Sequence, residues 1–420
     1  MNRIEKFIYD CVKSSPMVKF ALRNIYQSFY DMMPTPKNYS ESEISYLEDY
    51  FYGFHDKTPF SADGSKLLAN HTLIPLRMPE QNEPLEVGYF DLSEDGKLQT
   101  YHLLGKSYAW NYHKGCRLQY VDQNHIIFNT LENGNLVSNI VSMTGETVRE
   151  IPYAIDTVSE DGKWATSFSY ERLNELMPGY GYEYCHDEAY LNDPAPAETG
   201  LFLVSLEDGH RELLYTLKDL ASRVGQTGNM QYRHYVTHSE FSKTGRYISF
   251  LHRWIGHDSR KRHTELVVYD RELKKDYVLP TTGMVSHYVW NDKDQIVAYC
   301  SVKEGDAHVL FDIVSGTYRP ILLNKLNSDG HQSMVGNNSF VTDTYPDKYR
   351  MASLYMIDES KETYRKIAYL YSPKKFQTKD FHKHIACDLH PRISPSGTFV
   401  CFDSVFTGKR SICVMSLKGV

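Results

Sequence analysis

A short phrase recurs along this chain, a turn of Ser, Asp, Asn, Lys and Gly followed at once by an apolar strand, and it constrains the fold more than any other feature. It reads SADGSKLLA from Ser61, DQNHIIF from Asp122, SEDGKWATS from Ser159 and SKTGRYISF from Ser242. Further copies begin at Asn291 (NDKDQIVAY), Gly336 (GNNSFVTDTY) and Ser394 (SPSGTFVCFDS), making seven. Asp-Gly and Thr-Gly supply the positive φ that tight hairpins need, and the β-branched and aromatic residues after them suit a buried pleated surface. Spacings of roughly 40 to 60 residues suit four-stranded blades, with a longer gap before Ser242 that must hold an insertion. The phrase predicts an all-β fold, a seven-bladed β-propeller over residues 46–420, preceded by a helical extension over 1–45. A propeller gathers its chemistry on one face, around the central channel.

The strands after each hairpin are also legible. VGYFD from Val87, LFLVS from Leu201, LVVYD from Leu266, AHVLFD from Ala307, SLYMID from Ser353 and ICVMS from Ile412 each read as the next strand of a blade. The exception is residues 168–200, with MPGYGYEYCHDEAYLNDPAPAE, where two-residue alternation is absent. A loop that long in a compact domain is a functional candidate, and its four tyrosines argue against disorder.

At 420 residues the net charge is −7, so nucleic acid is not an expected partner. The seven cysteines (Cys11, Cys116, Cys185, Cys300, Cys387, Cys401, Cys413) are scattered without a Cys-x-x-Cys pair, which predicts reduced thiols. No signal peptide and no apolar span of 18 residues is legible, and a cytoplasmic protein is expected. Within residues 1–33, Ile4, Phe7, Ile8, Cys11, Val12, Val18, Phe20, Ala21, Ile25 and Phe29 recur at helical steps, with Lys6, Lys13, Lys19 and Arg23 between them. This segment, ended by Pro34 and Pro36, predicts a helix packed on the propeller or a partner chain, or one lying on the inner face of a membrane.

Histidine placement is the second signal. His55, His113, His238, His287, His331 and His390 each stand shortly before a copy of the phrase; the copy at Ser159 has none and is followed by the Tyr-rich loop, expected to fold over the same face. Equivalent positions in successive blades converge on a common axis. Such a ring suits either a divalent metal, zinc or manganese, at His287, His331, Cys387 and His390, or a hydrogen-bonded histidine cluster. Acid and base chemistry is its other use, since imidazole titrates near neutrality. No nucleophile elbow, P-loop or dinucleotide fingerprint is present. The 33 tyrosines fit strand propensity, and equally fit rings that hold sugars by one apolar face and a hydroxyl.

The runs YGFHDKTPFSADGSKLLA, WNYHKGCRLQY, PGYGYEY, FSKTGRYISFLHRW, GMVSHYVWND, DGHQSM with TDTYPD, and CDLHPRISPSGTFVCFDS resemble, in their order, the propeller polysaccharide lyases. The resemblance is to the ulvan lyases and, more distantly, to oligogalacturonate lyase, over roughly residues 50 to 418. It implies β-elimination at a 4-linked uronic acid, often with a bound divalent metal. It places the base at His238, proton transfer at His113 and Tyr182 with Tyr180 as a close rival, and carboxylate neutralisation at Arg253. His55, Lys57, Tyr180 and Arg233 are the implied substrate-binding residues, and a uronate-containing glycan the implied partner. The chain departs from the ulvan lyase pattern at Phe128-Asn-Thr130, where a second histidine is expected. A non-catalytic propeller in capsule-type polysaccharide assembly, binding a glycan or protein partner, is the rival from another class, and a metal-dependent hydrolase a third.

Overall fold

The computed structural model describes residues 30–182, 190–225, 232–256, 262–378 and 381–419. It is a seven-bladed β-propeller. Blade 1 runs outward from Tyr50–Phe51 through Lys66–Thr72 and Leu85–Leu92 to Leu98–Ser107, and blade 2 from Gln119–Tyr120 to Thr147–Ile151. Blades 4, 5 and 6 start at Arg233–Phe241, Val285–Trp290 and Gln332–Met334, and blade 7 at Arg392–Ile393. Blade 3 has only Trp164–Ser167, Gly200–Ser205 and Arg211–Thr216, with a single bridge from Val158 to Ala165 where an innermost strand would lie.

The ring is closed by residues from before the first blade. Ile44–Glu48 pairs with Ser411–Ser416 as the outer strand of blade 7, and Tyr39–Ser40 with Thr363–Tyr371 of blade 6. Among the described residues strand pairing begins at Tyr39, within the segment 1–45 expected as a helical extension. Of the amphipathic segment 1–33, all but residues 30–33 lies outside the described residues. Among the described residues the helices are short, Tyr170–Leu176 and Leu217–Arg223, and none is long and apolar enough to cross a membrane.

Six copies of the phrase form the hairpin between the first and second strands of their blades, the copy at Ser159 leads from the Val158 bridge into the first strand of blade 3, and in four copies a serine closes the turn. Ser61, Ser159, Ser242 and Ser394 accept, through Oγ, the N–H of the residue five positions on, at 2.9 to 3.2 Å. Gly64, Gly162, Gly245 and Gly397 take the positive φ between them, at 73°, 67°, 72° and 70°. Second strands, with blades on both faces, lose alternation: Tyr247–Ile255 is buried over its first eight residues, whereas outer Thr363–Tyr371 starts exposed. The five described cysteines, Cys116, Cys300, Cys387, Cys401 and Cys413, are buried free thiols.

Candidate active site

The histidines before the hairpins stand in or beside the innermost strands, His238 inside Arg233–Phe241 and His55 just after Tyr50–Phe51, and they converge on one ring. Phe54 lies within 4.7 Å of His55, 5.5 Å of His113, 4.9 Å of His238, 6.0 Å of His287, 5.9 Å of His331 and 5.2 Å of His390, centroid to centroid. Phe54 is held there by its backbone. Asp403 accepts the N–H groups of Tyr52 and Gly53 at 3.0 and 2.9 Å, and Arg392, paired with Asp403, donates to the carbonyls of Gly53 and Phe54. Gly53 has φ +115°, and a Cβ there would meet the Lys114–Gly115 backbone at 2.9 Å, so only glycine fits.

Backbone irregularities aim the imidazoles inward. Blade 4 slips register between Thr237 and Glu240, and His238 within that bulge has φ 53°; blade 5 slips between Val285 and His287. His390 has φ 45°, held by Asp343, which accepts the N–H of His390 at 2.9 Å and that of His331 at 2.7 Å. Asp343 also takes Nδ1 of His331 at 2.9 Å. Nδ1 of His55 faces the Gln332 carbonyl at 3.0 Å, and Nδ1 of His287 faces Ser286 Oγ at 3.1 Å and Asp329 at 3.4 Å. These contacts leave ring nitrogens over. Among the described residues, Nε2 of His238, His331 and His390 and both ring nitrogens of His113 are buried without a hydrogen-bond partner.

Burial keeps most of the crown neutral. It drives His55, His113, His238 and His390 well below the ordinary histidine range, and His287 to about 4, with neighbouring imidazoles adding to the effect. His331 is opposed by burial too, but Asp343 outweighs it and raises the pKa of this one ring. Asp388 is the complement: burial and nearby Asp343 outweigh His331 and lift its carboxyl to about 6.

Donor atoms of His113, Asp388 and His390 all lie within 4.8 Å of one another, the compact metal-type group among the described residues. Orphaned buried imidazole nitrogens beside a carboxylate fit a divalent cation, and Asp343, which accepts the backbone N–H of His390, fixes the segment that carries that ring. Of the four residues expected as ligands, His287, His331 and His390 come together, with His331 at 3.9 Å from His287 and 4.2 Å from His390. Cys387 does not join them. It is buried with Phe376 and Val405, its thiol on the Asp388 carbonyl, because the neighbouring residue's side chain takes the inward position. Without a thiolate, the N/O donor set gives no preference for zinc over manganese.

The Tyr-rich insertion does reach the crown, through Tyr180. Its ring lies 4.1 Å from His113 and 5.9 Å from His238, and burial with nearby Asp388 keeps its phenol protonated. Tyr182 instead stacks on Tyr170 at 4.8 Å, with its hydroxyl accepting from Asn129 at 3.0 Å, in the core between blades. Arg253 is buried, donating to Met177 Sδ and to the Val285 and Ser286 carbonyls, with no carboxylate partner among the described residues; burial lowers its pKa. Arg233 sits away from the crown, paired with Glu175 and the Leu191 carbonyl. Lys57 donates to the Val158 carbonyl at 3.3 Å, in a charged layer with Asp56, Glu160 and Glu240.

That layer lies one step further along the same innermost strands, where Lys114 and Arg117 follow His113 and Glu240 follows His238. Lys114 Nζ lies 5.2 Å from the Phe54 ring and 3.0 Å from Asp156. Arg117 clamps Asp56 with two bonds of 3.0 and 2.6 Å, and Asp156 also accepts from Ser239 and Tyr170. Phe54, Asp388 and His384, which lies 4.9 Å from His113, are the site residues sequence reasoning passed over. Phe54 reads as ordinary core, and Asp388 is shadowed by the adjacent cysteine.

No known family profile matches the chain, and no curated protein matches it. Among solved structures it is similar to an oligogalacturonate lyase in complex with manganese, at 14% identity over 92% of this chain and 97% of that one, TM-score 0.47. An oligogalacturonate lyase from Vibrio parahaemolyticus is 14% identical over 91% of this chain and 99% of that one, TM-score 0.43. The tricorn protease is 12% identical over 92% of this chain and 34% of its own, TM-score 0.48.

Proposed function

We propose that the crown is the active site of a lyase that cleaves a 4-linked uronate-containing glycan by β-elimination. The observation that carries this reading is the set of buried, neutral imidazoles with unpartnered nitrogens, gathered around Phe54 beside a carboxyl at about 6. The proton on C5 of a uronate becomes acidic once the sugar's carboxylate is neutralised. Arg253, cationic and without a carboxylate of its own among the described residues, supplies that partner. Nε2 of His238 takes the C5 proton, the C–H electron pair forms the C4=C5 double bond, and the C4–O4 bond breaks. The phenol of Tyr180 protonates the departing O4. A divalent cation held by His113, Asp388 and His390, manganese or zinc, would supply further charge neutralisation at the uronate carboxylate.

This division of labour keeps His238 as base and moves the acid from Tyr182 to Tyr180. It is closer to the oligogalacturonate lyase form of the resemblance than to a two-histidine ulvan lyase mechanism. Residues 1–33 are proposed as a contact with a partner chain or the inner membrane surface of the cytoplasm.

One observation favours a second reading, a glycan- or partner-binding propeller without turnover. Every crown histidine is 4% exposed or less, under Tyr180, so a polymer must displace that ring to reach them. Incubation with a panel of 4-linked uronate polymers, following the ultraviolet absorbance of the unsaturated product, separates the two. The lyase reading expects absorbance that His238→Ala removes by about 100-fold or more. Glycan binding without absorbance on any polymer selects the second.

A further inference from the structure

A cleft of about 560 Å³, including its open mouth, lies beside the crown, walled by the same segments. Ala109 and Trp110 line it, and His113 three residues on is in the crown. Gly179 and Gly181 line it, and Tyr180 between them lies against His113. His382 lines it, and His384 touches both His113 and Tyr180. The shared wall is fixed. A Cβ on Gly181 would lie 2.3 Å from the Tyr170 carbonyl, and one on Gly179 would lie 2.4 Å from His384 Cβ, so the loop is pressed between the helix Tyr170–Leu176 and the His384 segment.

The chemistry of the lining differs from that of the crown. Met78, Pro79, Tyr108 and Pro178 offer apolar surface, with the Tyr108 ring 38% exposed. Glu80, Asn174 and His382 supply polar groups at its edge. Among the described residues no lysine or arginine lines the cleft, and Arg77, adjacent to Met78, is engaged by both oxygens of Glu83 and lies 3.5 Å from Glu80. Among these described lining residues a sugar carboxylate would meet an acid, Glu80, and no compensating cation. A neutral pyranose, with one C–H face for an aromatic ring and hydroxyls for Asn174 and Glu80, matches the lining.

We propose that this cleft is a subsite for a neutral sugar next to the uronate, so that the substrate is a heteroglycan in which 4-linked uronate alternates with an uncharged pyranose. The inference rests on the crown being the lyase site for the cleaved uronate, but its binding test does not require turnover.

Titration calorimetry with cellobiose, N,N′-diacetylchitobiose and digalacturonate, on the full chain and on Tyr108→Ala, Asn174→Ala and His238→Ala, reads the cleft directly, with circular dichroism checking the fold. A neutral disaccharide is expected to lose at least tenfold in affinity in Tyr108→Ala and Asn174→Ala and to be unchanged in His238→Ala. In turnover, heparosan and hyaluronan should exceed polygalacturonate and polyguluronate at least tenfold in kcat/KM, a preference that Tyr108→Ala erases through KM. Neutral-sugar binding that is undetectable for both probes, or indifferent to both cleft variants, overturns the subsite. Turnover of uronate polymers surviving beside that result leaves the crown's chemistry standing; Tyr108-dependent binding with no turnover on any polymer supports the cleft while removing the lyase reading.

Discussion

Two polar layers share the propeller's channel, and they are built on opposite terms. In the charged layer the four central groups Lys114, Arg117, Asp56 and Asp156 pair with one another, and Asp156 alone accepts from Lys114, Arg117, Ser239 and Tyr170. In the crown, four of the six histidines (His113, His238, His331, His390) keep a buried nitrogen without a hydrogen-bond partner among the described residues. Buried polar groups are nearly always satisfied, so a layer that leaves several unsatisfied holds free energy in reserve for a ligand. The paired layer ties neighbouring blades together, and the crown is the layer proposed above as the site.

The largest test of that contrast is stability. Asp156→Ala strands Lys114 and Arg117 without their shared acceptor and should cost about 3–5 kcal/mol. His113→Leu removes a ring that makes no hydrogen bond and should change stability by no more than about 1 kcal/mol. Urea unfolding of the two variants measures this; equal costs would make the crown structural as well.

Acidification should act on the crown next. A histidine held neutral by burial binds its proton only in the unfolded state, so stability is full above the unfolded value near 6.5 and falls as pH drops below it, by about 1.4 kcal/mol per pH unit for each such ring. His55, His113, His238, His287 and His390 act in this sense, while His331 and Asp388, with raised values, act against it. With five rings acting in one sense and two groups in the other, the balance is a loss of stability between pH 7 and 5.5. Asp56 and Asp156, lowered by Arg117 and Lys114 against the opposing effect of burial, contribute nothing in that window. Unfolding midpoints that stay flat from pH 7 to 5.5 would show that the crown is not buried and neutral.

The seven blades were legible because the hairpin turn is a local device, closed by serine and glycine in four copies and by the Asp122 and Asn291 side chains in two more. The crown was legible for a related reason: histidines at one register of successive innermost strands must meet at the axis. What was not legible depends on single-residue parity in segments without a repeat. Tyr180 and Tyr182 are two apart in a loop with no strand alternation, and only Gly179 and Gly181, pressed against His384 and the Tyr170 helix, decide which ring turns inward. Cys387 and Asp388 pose the same choice outside any strand. Phe54 escaped notice because an aromatic beside a strand reads as core.

The tyrosine pair gives a smaller test. Tyr180→Phe should lower turnover about 100-fold through kcat, whereas Tyr182→Phe should leave turnover within about twofold and cost about 1 kcal/mol for its bond with Asn129. Reversed effects would return the acid to Tyr182.

The most direct measurement is manganese binding to the purified, metal-stripped chain, followed by electron paramagnetic resonance in wild type, His390→Ala, Asp343→Asn and Arg233→Ala. One ion per chain is predicted for wild type, lost in His390→Ala, weakened about 10- to 100-fold in Asp343→Asn, and unchanged in Arg233→Ala. Binding that persists in His390→Ala, or that wild type never shows, would contradict a crown built to receive a cation.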